Sequence, residues 1–176
     1  METLNPKNSE DLLIYKINYE KAFYYYSIGN SYGIVESSYK LADMFMNGYG
    51  VEKNMEAARR IIVKLYEETE KDFYRGNWGC GFADVCLRMG NLYRTRVLKD
   101  EKDCDYAALH YYTLAEYAIK LRMKYCINYG DKKVYEDAAR ELSSMRFAKN
   151  VVTPSGKPRD VELIGPRFIY EAFRKN

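Results

Sequence analysis

Proline is almost missing from the body of this chain. The four prolines of the 176 residues stand at positions 6, 154, 158 and 166, so the 147 residues between Pro6 and Pro154 lack the strongest helix breaker. Histidine occurs once, as His110, which excludes a metal site built from clustered imidazoles and leaves any His-based triad resting on one residue. The four cysteines, Cys80, Cys86, Cys104 and Cys126, include no C-x-x-C pair. They are expected to be reduced thiols that pack as small hydrophobes, with no metal and no cofactor bound. No run approaches the roughly 20 apolar residues of a bilayer-crossing helix, so no membrane partner is expected. The opening METLNPKNSEDLL has no basic segment leading into a long apolar one, so a secretory signal is not expected either and the expectation is cytoplasmic.

Charge of one sign is also scarce. The net charge is +3, and residues 149–176 hold six basic and three acidic side chains, which accounts for the whole excess; the other 148 residues carry 22 of each sign. A balanced body argues against a broad electropositive surface for nucleic acid. What is present in quantity is tyrosine, 19 residues against seven phenylalanines and one tryptophan. A tyrosine ring packs between helices while its hydroxyl reaches a carbonyl or water, and the same residue suits adaptable binding surfaces. Most of the tyrosines are assigned to packing and a minority to a groove.

Apolar spacing in the proline-free stretch is helical. Asn54 is placed to cap a helix in which Met55, Ala58, Ile62 and Leu65 share one face while Glu56, Arg60 and Lys64 form a charge ladder on another. From Asp105, with Asp103 or Asp105 as the cap, Ala108, Tyr111, Tyr112, Ala115, Ala118 and Leu121 make a broad apolar face. Shorter helices are predicted over about 36–47, 82–95 and 132–148. Glycine-containing joints at NGYG (47–50), RGNWGCG (75–81) and YGD (129–131) end them in short turns that force neighbouring helices antiparallel. The predicted fold class is all-α, a solenoid of about three helical hairpins forming a domain over 1–148. Residues 149–176 are predicted as an extended C-terminal arm, with a hairpin around Pro154 to Pro158 and a short helix near 167–174.

The block SSYKLADMFMNGYGVEKNMEAARRIIVKLYEE resembles the Sel-one-like repeat, a short relative of the tetratricopeptide repeat. Leu41, Ala42, Met44 and Phe45 stand in its Leu-Gly-x-Met-Tyr part, Gly48, Gly50 and Val51 in its G-x-G-V turn, and Asn54, Met55 and Ala58 at the start of its second helix. Ala22 lies 36 residues before Ala58, one repeat length, within a segment like the second helix of a preceding unit. Met89, Gly90, Leu92 and Tyr93, then Asp105, Tyr106, Ala108 and Leu109, match a second unit whose glycine turn is replaced by RTRVLKDEKDC. Leu142, Ser143, Met145 and Arg146 match a fainter third. The resemblance implies a protein-interaction scaffold in which the first helices of successive hairpins line a concave groove, with no catalytic residues.

Aligning Leu41, Met89 and Leu142 gives three polar columns: Glu36, Asp84 and Asp137; Lys40, Arg88 and Glu141; Asp43, Asn91 and Ser144. Within one helix the three positions, such as 36, 40 and 43, are i, i+4 and i+7, so they share one side of it. The candidate partner-binding residues are Glu36, Lys40, Asp43, Asp84, Arg88, Asn91, Asp137 and Glu141, a charged strip that would orient a basic segment of a peptide or protein partner; the plainer reading is a solvated face with local ion pairs. Two further functions are weighed against the scaffold. One is nucleic-acid binding by the basic C-terminal arm and a tyrosine-rich groove. The other is a small enzyme using Cys80 or Cys86 with His110.

Overall fold

The computed structural model describes residues 9–98, 104–126 and 128–147. Among them are six α-helices: α1 Ser9–Ser31, α2 Val35–Asn47, α3 Met55–Tyr74, α4 Phe82–Arg94, α5 Cys104–Tyr125 and α6 Asp131–Phe147. The predicted all-helical class holds for these residues, and the helix positions agree with the apolar periodicity to within a few residues. The predicted arm at 149–176 lies outside the described residues. The chain divides into two compact units, residues 1–62 and 63–176, with the division inside α3.

In the first unit α1 packs on α2. Phe23 meets Phe45 edge-on at 5.4 Å and Tyr19 stacks on Tyr49 at 4.8 Å. Gly29 is buried where a Cβ would collide with the Ser37 side chain, so the absence of a side chain sets how closely the helices approach. α2 buries Ser38, Tyr39, Leu41, Ala42 and Met44. It ends as the glycine turn requires: Gly48 sits at φ 73° and its N–H donates to the Met44 carbonyl at 2.8 Å. Asn54 then caps α3, its Oδ1 accepting from Ala57 N at 2.9 Å, while its own N–H donates to Phe45 O at 2.9 Å and ties the turn back to α2. Of the expected ladder, Glu56 pairs with both Arg59 and Arg60, and Lys64 pairs with Glu68.

The second unit has an aromatic core. Phe73 of α3 stacks on Phe82 of α4 at 4.6 Å, and Tyr66 meets Tyr111 of α5 edge-on at 5.3 Å. Tyr93 of α4 stacks on Tyr111 at 5.4 Å. Tyr112 is fully buried, and Gly90 makes room for it: a Cβ there would strike the Tyr112 ring. The Tyr112 hydroxyl donates to Asn91 Oδ1 at 2.8 Å, so the buried ring keeps its polar end satisfied. Of the two expected caps, Asp105 lies inside the helix. α5 begins at Cys104, and Asp105 lies in its first turn paired with Arg96 at 3.0 Å; Asp103 is outside the described residues.

Burial recurs along the chain at similar offsets. Leu41, Ala42 and Met44 of α2 are buried as Met89, Gly90 and Leu92 of α4 are, 48 residues on. Ala58, Ile62, Leu65 and Thr69 of α3 are buried as Ala108, Tyr112, Ala115 and Ile119 of α5 are, 50 residues on. In α6 Leu142 and Met145 repeat the buried pair Met89 and Leu92.

Gly48 and Gly50 both hold positive φ, at 73° and 68°, but their surroundings differ. A Cβ on Gly48 would meet nothing nearer than 3.5 Å, whereas one on Gly50 would strike the Tyr19 carbonyl. Gly48→Ala should therefore cost about 1 kcal/mol, the strain of a left-handed residue alone. Gly50→Ala should cost about 3 kcal/mol because overpacking adds to that strain. Urea denaturation of both variants checks the order, and equal losses would contradict it.

Candidate functional site

The predicted partner-binding residues divide between the two units. In the first, Glu36 is exposed in the first turn of α2, where a carboxylate suits the helix dipole. Lys40 is half-buried with its Nζ 5.8 Å above the Tyr39 ring, and Asp43 is half-buried one turn further on. These three occupy one side of α2, as their spacing requires.

In the second unit the spacing is kept and the exposure is not. Asp84, expected on an open acidic column, has only 7% of its surface exposed. Its Oδ2 accepts from Arg122 Nη1 of α5 at 2.7 Å. Arg122 Nη2 lies 2.7 Å from Asp131 Oδ1, the first residue of α6; this is an ion pair not aligned as a hydrogen bond. Arg122 Nε has no acceptor among the described residues. Asp131 Oδ2 accepts from Asn128 N–H at 2.9 Å, which closes the turn into α6. Burial alone would pull the Arg122 guanidinium down, but Asp84 and Asp131 more than offset it and hold the group above arginine's ordinary value. Asp84 is thus a structural anchor, and the acidic column does not exist as a continuous surface.

The remaining residues stay accessible. Arg88 is half-buried and donates from Nη1 to the Asp84 carbonyl at 2.8 Å. Asn91, also half-buried, accepts from Tyr112 through Oδ1. On α6, Asp137 pairs with Arg140 at 2.8 Å, while Glu141 lies 3.6 Å from Arg140 and 3.8 Å from Arg94 of α4. α4 and α6 are in contact, and the Arg94 to Glu141 pair spans them. Arg88, Asn91, Arg94, Asp137 and Glu141 make a mixed-charge strip whose exposed pairs contribute little to stability.

For the alternative chemistry, Cys86 is buried and Cys80 half-buried, and loss of solvation raises both thiols, which disfavours the thiolate a nucleophile needs. His110 lies on α5 with its ring edge-on to Tyr111 at 5.4 Å. All four cysteines are free thiols. Among the described residues no group of three His, Cys, Asp or Glu side chains converges as a metal site requires, and no helix is long and apolar enough to cross a membrane.

Arg122 and Asp131 were missed from sequence because each looks like an ordinary helix-end residue. Arg122 sits in the last turn of α5 beside Lys120 and Lys124, where a solvated cation is the usual occupant, and Asp131 follows a glycine at a helix start. Their placement at helix ends was legible; their burial against one another was not. Comparison with protein-family models, curated proteins and solved structures finds no match to this chain.

Arg122→Met should cost about 3–5 kcal/mol in chemical denaturation, because two carboxylates then remain buried without their cation. Arg122→Lys should recover only part of that loss, since an ammonium lacks the fork that reaches two carboxylates. A change below 1 kcal/mol for Arg122→Met would contradict the anchoring role.

Proposed function

We propose that this protein is a non-catalytic interaction scaffold, a stack of helical hairpins of the Sel-one-like kind that binds a peptide or protein partner in the cytoplasm. The observation that carries the reading is the pairing of α4 with α6. These are the first helices of successive hairpins in the repeat alignment, they touch, and their equivalent apolar residues are buried while Arg88, Asn91, Asp137 and Glu141 remain at least partly accessible. Two adjacent helices with polar groups in register let one extended partner meet both, which is how stacked repeats turn a fixed surface into recognition. Lys40 and Asp43 stand at the corresponding sequence positions of α2, within the first unit. Asp84 is no longer part of the binding set, since its charge is spent inside the fold on Arg122.

The mixed charge of the strip favours a partner that carries both signs over a polyanion. Charges at such a rim act mainly on association rate and register. The test is affinity capture from the native host, followed by calorimetry with the retained partner. Lys40→Glu, Arg88→Gln and Glu141→Gln should each weaken binding about 3- to 10-fold with unchanged circular dichroism, and deletion of 149–176 should weaken it less. If affinity survives the three substitutions and disappears with residues 149–176, the basic terminal segment is the site and the strip is not. A retained partner that is RNA or DNA, released by moderate salt, would likewise overturn the scaffold reading.

A further inference from the structure

α1 is apolar on two opposite sides. Tyr19, Ala22, Phe23, Tyr26 and Gly29 lie on the side turned toward α2 or the 48–53 turn, each buried or half-buried. The opposite side carries Ile14, Ile17, Tyr24, Tyr25 and Ile28, with Tyr32 in the turn one residue past the helix end, all exposed, the tyrosines at 61%, 68% and 80%. Their spacing of three, four and seven residues makes one stripe down the helix, flanked by exposed Leu13 and interrupted by a single charge, Lys21. A surface helix with no partner is normally polar on this side. Here the exposed stripe, Leu13 included, offers on the order of 900 Å², an upper bound on what it can bury that is close to the roughly 800 Å² each partner contributes to a standard stable interface.

We infer that this stripe is a homodimer face, on which α1 of a second copy packs antiparallel about a two-fold axis. The argument is self-complementarity, which a two-fold interface demands. In a parallel pair Lys21 would face its own copy, two like charges in an apolar seam. In an antiparallel pair centred between Ala22 and Phe23, Ile17 faces Ile28, Leu13 faces Tyr32, and Lys21 faces the Tyr24 ring, where an aromatic face attracts a cation. This register sets Ile17 on Ile28 and Leu13 on Tyr32 and gives Lys21, the charge within the stripe, a favourable neighbour, while Ile14 and Tyr25 fall opposite Ser31 and Glu20 at the border of the seam. The inference is independent of the partner-binding strip on α4 and α6.

Sedimentation equilibrium of the full chain should show a monomer–dimer equilibrium with a dissociation constant on the order of 10 µM, as expected when only part of the offered area is buried. Ile17→Glu and Ile28→Lys, each alone, should weaken dimerisation about 30-fold or more. Because both residues are exposed, circular dichroism of the dilute monomers should not change. The double variant Ile17→Glu with Ile28→Lys should recover dimerisation to within about tenfold of the wild type, because in the antiparallel register the new glutamate of one copy meets the new lysine of the other. A wild type that remains monomeric at about 200 µM overturns the inference, as does dimerisation that survives the single substitutions. Single variants that fail while the double variant does not recover overturn the antiparallel register. Flotation of the wild type with anionic phospholipid vesicles, abolished by Ile17→Glu, would assign the stripe to a lipid surface instead.

Discussion

One guanidinium organises the second unit. Arg122 leaves the last turn of α5, where a cation is favoured by the helix dipole, and meets Asp84 in the first turn of α4 and Asp131 at the start of α6, where anions are favoured. Three helix ends are therefore brought together by charges that each helix end already prefers. The arrangement is unforgiving, because the three groups are almost fully buried and removing Arg122 leaves two carboxylates without their cation, while removing either aspartate breaks a buried pair. The two carboxylates meet α5 from the first turn of α4 and the first residue of α6.

Around that anchor the packing repeats. Small residues recur where helices approach, glycine at 90 beneath the Tyr112 ring and alanines at 58, 108 and 115, and large ones recur a turn away. The buried positions of α4 follow those of α2 by 48 residues and those of α5 follow those of α3 by 50, with the two-residue difference taken up in the connections. Tyrosine serves this packing in two ways. Tyr112 is buried with its hydroxyl satisfied by Asn91, whereas Tyr24, Tyr25 and Tyr32 are left largely in solvent. The high tyrosine content is thus divided between core and surface, and α1 holds much of the surface share.

Much of the fold was legible in the sequence because it rests on local rules. The apolar period located the helices, NGYG located the turn that closes α2, and the Asn54 cap appears as its position implied. The polar columns were legible only as helix faces. Spacing says which residues share a side, and it cannot say whether that side is open; Glu36 is exposed, while Asp84 at the equivalent place is covered because α5 and α6 deliver Arg122 and Asp131 there. Of the two residues expected to cap α5, Asp105 is engaged by Arg96, a residue in left-handed backbone at φ 60° that no periodicity foreshadows, and Asp103 lies outside the described residues. Long-range pairings decided both cases.

The turn at 48–53 has the composition of a surface connection in which chain length could drift. Its geometry says otherwise. Gly50 rests directly on the backbone of Tyr19 and Glu20, Tyr49 is stacked on Tyr19, and Asn54 is fastened to Phe45. An added or deleted residue there would have to part the connection from α1 and break the α3 cap in the same step. For grafted epitopes, inserted tags or relocated chain ends this short glycine turn is therefore a poor position, although a hydropathy profile alone would recommend it.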